Sequence, residues 1–474
     1  MYILKMFIIY FSLFCIIYTI AINIFYNGQM IISFLDILGY MKKMKASDYK
    51  RYSESKNMIP ISILVPAYNE EKTIVDNIKS LLSLNYLEYE IIIINDGSKD
   101  STKEKIIKEF NLKKVNQPVK NSLNTKEVLG IYRNTEYENL IFVDKLNGGK
   151  ADALNVGINI SKYPIFASID ADSILEKDSL IKLTMSFVEN PETIAVGGIV
   201  RIANGSIIKN GELIEMNIPK SKIAIFQIVE YLRAFLTGRA SLSKLHSILI
   251  ISGAFGAFNK KAVINCGGYK ANIIGEDMEI IVRLHKTIKD QKKKYKIKFL
   301  AEPICWTQAP ESFKDLRTQR RRWQIGLFDT LLSYKSMLFN PKYGTIGMIS
   351  LPYYWIFELL GPIIEFLGYI FIPLAYLFGL LHFDVFIIYL LIAFLLGCTL
   401  SMGSILLEQV SFCKYTSLKD ILQLMLFAVI ENLGYRQLTI IYRIEGIFKF
   451  KKLRHSWGTI ERKQFVSGNE EENM

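Results

Sequence analysis

The segment VPAYNEEKTIVDNIKSLL at 65–82 predicts a strand that ends at Pro66, a tight polar turn, and a helix with Glu70 in its first turn. The strand itself begins with the apolar run ISIL at Ile61, and three similar runs follow it: EIIIINDG, LIFVDK and PIFASIDADS. Helical stretches separate these runs up to about Leu327. The alternation predicts an α/β domain with a mostly parallel sheet, which binds ligands beyond the carboxyl ends of its strands.

The composition of the chain indicates a membrane protein. Of its 474 residues, 50% are hydrophobic, and the formal net charge is +13. A basic excess also occurs in nucleic-acid-binding proteins, but the chain has apolar segments of membrane-spanning length and no recognised nucleic-acid-binding motif. The charge therefore favours the cytoplasmic segments of a membrane protein, and nucleic acid is not expected as a partner.

Cysteine and histidine contribute no recognisable metal site. The five cysteines are scattered without Cys-x-x-Cys spacing, and the four histidines are isolated from one another. This pattern is typical of a reduced compartment and argues against zinc. Any metal must then be held by carboxylates and phosphate oxygens.

Apolar segments flank the α/β region. The uncharged stretch at 6–26 is long enough to cross a bilayer, with a cleaved signal peptide as the alternative. The shorter piece at 30–41 predicts an interfacial segment or a continuation of the first helix. An interfacial helix near Pro352 and two spans are expected between 348 and 407. The segment at 418–450 carries charges that favour contact with protein or an interface over lipid.

These features divide the chain into five parts. They are an N-terminal transmembrane and interfacial segment at 1–41, a basic juxtamembrane linker at 42–59, a cytosolic α/β domain at 60–345, C-terminal transmembrane and interfacial helices at 346–450, and a basic-then-acidic cytosolic tail at 451–474. The basic linker places the α/β domain in the cytoplasm of a multi-pass protein of the cell membrane. Because the basic tail is also expected in the cytosol, the number of membrane crossings after that domain must be even, and two are predicted.

Polar residues follow the predicted strands at three turns. In the first turn, the backbone amides of a helix start could face a nucleotide, although the motif is also typical of a purely structural junction. The second turn holds Asp96 before Gly97, and the third, in KLNGGKADALNVGINIS at 145–161, presents Lys150 at a helix start. Helix amides and a lysine together suit an anion such as a diphosphate, with a solvated lysine as the alternative.

The tripeptide Asp170-Ala171-Asp172 follows the buried run PIFASI. Two aspartates one residue apart at a strand exit bring both carboxylates near one ligand. They suit an oxygen-binding divalent ion that also bridges phosphates, such as Mg²⁺ or Mn²⁺. The alternative is a polar strand end whose aspartates cap the next helix.

Two further motifs supply catalytic and acceptor-binding candidates. Glu276 and Asp277 stand at the start of a predicted helix, and Asp277 is the candidate general base for an acceptor hydroxyl. In RTQRRRWQIGLFDTL at 317–331, Gln319 shares a helix face with Arg322 and Trp323. An arginine there can pair with phosphate and a tryptophan can pack on a sugar ring, whereas a basic amphipathic helix on anionic lipid is the alternative reading, in particular for Arg320 and Arg321.

In this order, PAYNE, NDGS, GGKADALN, DAD, GED and QRRRW resemble the motifs of the family 2 glycosyltransferases, specifically the membrane-integrated polysaccharide synthases. The resemblance covers residues 60 to 330 and implies a GT-A fold with flanking transmembrane helices. It implies that Asp96 contacts uridine, that Lys150 meets the diphosphate, that Asp170 and Asp172 serve the nucleotide and the metal with Asp172 nearest the ion, and that Asp277 is the base. The implied donor-binding set also includes Pro66, Ala67, Tyr68 and Glu70, and the acceptor and pyrophosphate set is Glu276, Gln319, Arg322 and Trp323.

The resemblance further implies an inverting, processive enzyme that extends a polysaccharide of the biofilm exopolysaccharide type and passes it through the membrane. The segments SGAFGAFNKKAVINCGGY at 252–269 and AEPICWTQAPES at 301–312 favour UDP-N-acetylglucosamine as the donor. The expected partners are the UDP-sugar, the growing glycan and the lipid bilayer, and a small accessory membrane subunit is compatible with them. Two alternatives stay open: a transferase that adds one sugar to a lipid carrier, and a non-catalytic membrane subunit that binds nucleotide. The 200–250 segment fits no motif.

Overall fold

The structure is a computed structural model that describes residues 2–46, 58–209, 212–271 and 273–454. Most of the predicted basic linker, at 47–57, and most of the predicted tail, at 455–474, lie outside the described residues.

The centre of the fold is a ten-stranded sheet with the order β3-β4-β5-β2-β1-β6-β11-β8-β12-β7. The strands are β1 (Ile61–Ala67), β2 (Tyr89–Asn95), β3 (Lys113–Val115), β4 (Val128–Arg133), β5 (Leu140–Lys145), β6 (Ile165–Ile169), β7 (Ile174–Leu175), β8 (Thr193–Ile202), β11 (Phe255–Asn259) and β12 (Lys296–Thr307), with β9 (Ile207–Lys209) and β10 (Glu212–Glu215) in a separate hairpin.

The four apolar runs identified in the sequence form adjacent strands. β5, β2, β1 and β6 pair in parallel, so their carboxyl ends lie along one edge. Ile61, Ile63, Leu64 and Val65 of β1 are fully buried, because helices cover both faces of the sheet. Burial on both faces explains why these strands read as continuous apolar runs instead of alternating patterns.

The expectation of a mostly parallel sheet is wrong for the rest of the sheet. β11 runs antiparallel to both β6 and β8, and β3–β4, β4–β5 and β12–β7 are also antiparallel, so the sheet is mixed. Beyond the parallel block, β8 and β12 form the only parallel pair in the described part of the chain. Strand direction there depends on how the chain returns to the sheet, and apolar runs alone do not encode that return.

The helices, in chain order, surround the sheet or extend from it. They are α1 (Tyr2–Ala46), α2 (Ile74–Leu82), α3 (Thr102–Glu109), α4 (Lys150–Ile160), α5 (Ser179–Glu189), α6 (Lys222–Leu232), α7 (Ala240–Lys244), α8 (Lys260–Asn265), α9 (Glu276–Asp290), α10 (Phe313–Ser333), α11 (Leu351–Tyr353), α12 (Gly361–Leu377), α13 (Phe383–Ser411), α14 (Leu418–Ile430), α15 (Tyr435–Phe448) and α16 (Phe450–Leu453). Shorter helical turns are π-helical at Arg233–Arg239, Ile346–Ser350 and Tyr354–Leu359, and 3₁₀ at Lys335–Met337 and Pro341–Tyr343.

Two helices are long and apolar enough to cross a membrane: the stretch Tyr2–Lys42 within α1, and α13. The apolar piece at 30–41 therefore continues the first helix, which extends without a break to Ala46 and includes the start of the predicted linker. Two bent helix pairs also qualify if each pair counts as one span, which gives up to four candidates among the described residues. The predicted count of two crossings after the α/β domain stays a prediction.

Charged residues in the last predicted membrane segment contact protein, as expected. Arg443 pairs with Glu358 at 3.2 Å, Arg436 pairs with Glu365 at 3.1 Å, and Glu445 accepts hydrogen bonds from Arg317 at 2.7 and 2.8 Å. These ion pairs connect α15 to α10, to α12 and to the helical turn before α12. An ion pair lets a charged side chain lie next to apolar surroundings that would otherwise exclude it.

The helix α10 crosses the start of α9 at very short range. A Cβ atom at Gly326 would lie 2.6 Å from the Ile274 carbonyl oxygen and 3.0 Å from the Cα of Gly275. Gly275 itself has a φ of +90°, a conformation that side chains strongly disfavour. Two glycines therefore allow the turn before Glu276 to rest against α10.

We expect Gly326→Ala to destabilise the protein by about 1–3 kcal/mol, because the added methyl group must push α10 away from backbone atoms. Thermal unfolding in detergent measures the effect as a lower Tm. Gly39→Ala is the matched control, since nothing lies within 4 Å of a Cβ atom at that helical position. Equal Tm values for the two variants would contradict the close packing of α9 and α10.

Candidate active site

Hydrogen bonds join the turns after β1 and β2 at the carboxyl edge of the parallel strands. The Asn69 amide donates to the Ser98 hydroxyl at 3.0 Å, and the Glu70 amide donates to the Thr102 hydroxyl at 2.9 Å. Pro66 and Ala67 belong to β1, while Tyr68 lies beyond it with its side chain 45% exposed at this edge. The expectation that Glu70 lies in the first helical turn is wrong, because α2 begins only at Ile74.

Asp96 binds the third turn of its own chain. Its carboxylate accepts hydrogen bonds from the amides of Gly148 and Gly149 at 2.9 and 2.7 Å, and from the Asn147 side chain at 3.2 Å. It also pairs with Lys145, which is fully buried and pairs with Asp152 at 2.7 Å. The carboxylate thus fixes the loop that leads into α4, and its oxygens are engaged within the protein.

Lys150, the first residue of α4, pairs with two carboxylates from different parts of the fold. Its ammonium group lies 2.6 Å from Asp170, after β6, and 3.2 Å from Glu276, at the start of α9. Burial alone would lower the pKa of Lys150, but the charges of Asp170, Glu276 and Asp277 raise it above its usual value. Lys150 therefore stays protonated and joins the strand edge to the helix of the candidate base.

The loop before β11 closes this cluster with a glycine that the sequence analysis did not single out. The Gly253 amide donates to Asp277 at 3.3 Å, and its carbonyl accepts from Lys150 at 3.4 Å. A Cβ atom at Gly253 would lie 2.7 Å from the Lys150 ammonium nitrogen. A side chain at this position would displace the Lys150 ammonium group, and the glycine in SGAFG was the available signal.

Asp277 lies beside these groups in the first turn of α9. One carboxylate oxygen accepts from the Met278 amide at 2.9 Å, and the other accepts from Gly253. Burial raises the pKa of Asp277, and the charge of Glu276 raises it further, while Lys150 opposes both. Glu279, by contrast, is turned toward Arg283 and the Tyr334 hydroxyl, at 2.8 and 2.6 Å.

The Asp170–Asp172 pair has the donor chemistry for a hard divalent cation. Asp172 is buried with 2% exposure, whereas the side chain of Asp170 is 32% exposed and faces Lys150. Within the described ranges, no three His, Cys, Asp or Glu side chains form a metal-binding group. An ion bound by these aspartates would therefore complete its coordination with oxygens from a ligand, as Mg²⁺ and Mn²⁺ commonly do with phosphates.

The helix α10 contributes an aromatic side chain to the same region. Trp323 is 44% exposed, and its ring centroid lies 6.3 Å from that of Tyr231 on α6. Gln319 is buried and accepts from Arg320 at 3.1 Å, and Arg322 is half-buried on the same helix. Tyr231 is a second residue that the sequence analysis missed, because it lies in the segment that matched no motif.

The lipid-facing reading of Arg320 and Arg321 is wrong. Arg320 is 2% exposed, pairs with Glu230 at 2.6 Å, and lies over the Trp323 ring at 4.4 Å. Arg321 pairs with Glu445 at 3.2 Å. A basic helix face looks the same in sequence whether it meets lipid headgroups or buried carboxylates, so the pattern alone could not separate them.

Sequence comparison identifies the domain that carries these residues. Residues 59–326, more than half of the chain, match the family described as glycosyltransferase like family 2. The chain belongs to this family. The glycosyltransferase domain thus includes β1 to β12 and the part of α10 that carries Trp323, and the predicted family membership is confirmed.

The curated relatives of this glycosyltransferase domain are polysaccharide synthases. Poly-beta-1,6-N-acetyl-D-glucosamine synthase of Staphylococcus epidermidis is 34% identical over 281 residues, which cover 59% of this chain and 57% of the relative. The enzyme of the same name from Staphylococcus aureus strain COL is 32% identical over 273 residues, covering 57% and 55%. The chain therefore spans little more than half the length of these relatives.

Structural comparison confirms the predicted GT-A fold. The mannosyltransferase PcManGT of Pyrobaculum calidifontis, solved with GDP-Man and Mn²⁺, matches with a TM-score of 0.50 at 15% identity, over 89% of this chain and 99% of that one. The family 2 domain thus has the mixed sheet of GT-A glycosyltransferases, with helices at both ends of the chain that are long and apolar enough to span a membrane.

We expect Asp96→Asn to lower the Tm of the protein without any nucleotide present, because an amide cannot replace a carboxylate that faces two backbone amides and a lysine. The expected loss is about 1–3 kcal/mol. Thermal unfolding of the nucleotide-free protein, compared with wild type, measures it. If Asp96→Asn changed nucleotide affinity but left this Tm unchanged, a contact with uridine would be its main role.

Proposed function

We propose that this protein is an inverting, processive glycosyltransferase that polymerises a sugar from a UDP-sugar donor into a polysaccharide. The arrangement of Lys150 against Asp170 and Glu276, with Asp277 beside them, carries this proposal. It places an anion-binding cation and a candidate base in one cluster at the carboxyl edge of the parallel strands. Membership of the family supports the same reaction class.

The donor binds across the turns after β1, β2 and β5 in this proposal. The first turn contacts the donor through Pro66, Ala67, Tyr68 and Glu70. Asp96 acts by fixing the loop before Lys150. The first backbone amides of α4 and the Lys150 ammonium group then bind the diphosphate, whose negative charges replace Asp170 and Glu276 as partners of the lysine. Asp170 and Glu276 are thereby free to meet the sugar and the pyrophosphate end of the donor.

Asp277 acts as the general base. Its carboxylate takes the proton from a hydroxyl group of the acceptor as the oxygen attacks C1 of the donor sugar, and the bond from C1 to the diphosphate oxygen breaks. Attack from the face opposite the leaving group inverts the anomeric carbon, so no covalent intermediate with the protein forms. The raised pKa of Asp277 favours proton acceptance near neutral pH.

Asp172, with Asp170 close by, would hold Mg²⁺ or Mn²⁺. The ion would neutralise negative charge on the departing diphosphate. This assignment is supported by the oxygen donors of the Asp-x-Asp turn and by the Mn²⁺ found with PcManGT, which shares the fold. Gln319, Arg322 and Trp323 are placed at the acceptor and pyrophosphate side, where α10 approaches α9.

The proposed sugar is N-acetylglucosamine, because the curated relatives of the domain are named for a polymer of that sugar. The two apolar helices and the two bent helix pairs support a multi-pass protein of the cell membrane. In the proposed topology the domain at 60–345 is cytoplasmic, the helices at 346–450 return through or along the bilayer, and the product crosses the membrane beside them. An accessory membrane subunit is compatible with this topology.

Asp172→Asn should raise the Mn²⁺ concentration that half-saturates UDP release by about tenfold or more, because one anionic oxygen ligand is lost. The measurement is UDP release against Mn²⁺ concentration at saturating UDP-N-acetylglucosamine. Asp178→Asn, six residues further along the chain, is the control and should titrate as wild type. An unchanged Mn²⁺ dependence for Asp172→Asn would remove Asp172 as the metal ligand.

The function is tested with the full chain in lipid nanodiscs, Mn²⁺ and a panel of radiolabelled UDP-sugars, scoring UDP release and product size together. Asp277→Asn should reduce transfer by about 10²–10⁴-fold while UDP binding stays within twofold of wild type. Asp290→Asn is the matched control, because Asp290 is the last residue of the same helix, at the end opposite Asp277, and bonds there to Lys286, to Lys342 and to the Tyr343 hydroxyl.

A long polymer from UDP-N-acetylglucosamine, lost in Asp277→Asn and kept in Asp290→Asn, would support the full proposal. A single sugar attached to a lipid carrier would refute processivity. Binding of UDP without turnover of any donor would favour the non-catalytic subunit instead.

A further inference from the structure

The segment that matched no motif lies against the centre of the candidate site. The helix α6 ends at Leu232 and continues into the π-helical turn Arg233–Arg239, and π-helical turns are frequent at functional sites. Tyr231 precedes this turn and faces Trp323 at a ring distance of 6.3 Å with an angle of 45°. The Tyr231 ring also lies 5.7 Å from that of Phe235 in the π-helical turn, so this turn and α10 meet at Tyr231.

Arg239, the last residue of the π-helical turn, is a half-buried cation that has no carboxylate partner among the described residues. Its guanidinium group stacks on the Phe235 ring at 3.9 Å, and its Nη1 atom is buried with no hydrogen-bond partner in the described part of the chain. Burial lowers the pKa of Arg239, while the charges of Tyr354 and Asp277 partly oppose this. The buried Arg320, by contrast, pairs with Glu230 at 2.6 Å.

A buried N–H donor such as Arg239 Nη1, left without an acceptor, is costly unless a ligand supplies that acceptor. Arg239 stacks on Phe235, and the Phe235 ring lies 5.7 Å from that of Tyr231, so Arg239 lies on the side of the site that carries Tyr231 and Trp323. In the proposed function the diphosphate of the donor already has Lys150 and the start of α4. The ligand for Arg239 is therefore expected to be neutral and rich in oxygen atoms, and a sugar ring meets both conditions.

We propose that Tyr231 and Arg239, together with Trp323, bind the terminal sugar of the acceptor glycan. The Tyr231 and Trp323 rings contact the apolar faces of the pyranose, and Arg239 donates hydrogen bonds to its oxygen atoms. This assignment rests on the proposed function and extends it to two residues outside the family motifs. It also gives a role to the exposed side chain of Trp323, which lies next to Tyr231.

The test uses the full chain in lipid nanodiscs with a soluble β-1,6-linked N-acetylglucosamine oligomer as acceptor and UDP-N-acetylglucosamine as donor. Arg239→Gln should raise the KM for the oligomer, and weaken equilibrium binding of a labelled oligomer, by about tenfold. The dissociation constant for UDP and the rate of donor hydrolysis in the absence of acceptor should stay within twofold. Tyr231→Ala should act in the same direction, whereas Tyr231→Phe keeps the ring and should bind the oligomer nearly as wild type does.

Controls separate this subsite from structural damage. Lys244→Gln removes an exposed cation of the next helix, which pairs with Asp36, and should leave both constants unchanged. Arg239→Lys keeps the charge and should recover part of the oligomer affinity, and Tm values establish that each variant is folded.

Oligomer binding by Arg239→Gln equal to that of wild type would overturn the subsite while leaving the proposed function intact. Weakened UDP binding in Arg239→Gln with unchanged oligomer binding would assign the arginine to the diphosphate and would equally overturn it. If wild type neither transfers sugar nor binds the oligomer, both proposals fail.

Discussion

Lys150 connects two carboxylates that would repel each other without it. Asp170 comes from the exit of a sheet strand and Glu276 from the start of a helix, and the lysine lies 2.6 Å from the first and 3.2 Å from the second. The charge of Asp277 also raises the pKa of this lysine, so one cation offsets the charge of three carboxylates. The excess negative charge makes this place receptive to further cations. A diphosphate bound to Lys150 would compete with the carboxylates and change their pairing, which couples donor binding to the environment of the candidate base.

The position of Lys150 depends on contacts deeper in the fold. Asp96 holds the two glycine amides that precede Lys150, and Asp96 is itself paired with the fully buried Lys145. Gly253 leaves the space that the ammonium group occupies. The turn that presents Lys150 is thus held in place by contacts within the protein itself. Rigid support of this kind is what places a catalytic group precisely.

Much of the fold and of the site could be predicted from the sequence, because the informative parts are local. The four apolar runs became the parallel block β5-β2-β1-β6, and Lys150 is the first residue of its helix, as a Gly-Gly turn suggests. The antiparallel strands, the partners of Asp96 and the burial of Arg320 depend on contacts between distant segments. The spacing of residues along the sequence does not encode those contacts. Tyr231 and Arg239 were missed for the same reason, since their significance lies only in what they face.

The segment that holds Tyr231 and Arg239 also contacts the apolar helices on its other side. Ser33 of α1 donates to the Leu236 carbonyl, and Arg233 donates to the Ser401 hydroxyl of α13 at 2.6 Å and pairs with Glu431 at the end of α14. Arg201, at the end of β8, forms a further buried ion pair with Glu408 of α13.

Charges buried at such a junction are costly to separate, so we expect the position of the domain relative to these helices to be fixed. An acceptor held by Tyr231 and Arg239 would therefore lie beside the apolar helices. In the proposed function, a glycan extended at that point would have these helices, and not bulk solvent, as its nearest surroundings, as synthesis coupled to export would require.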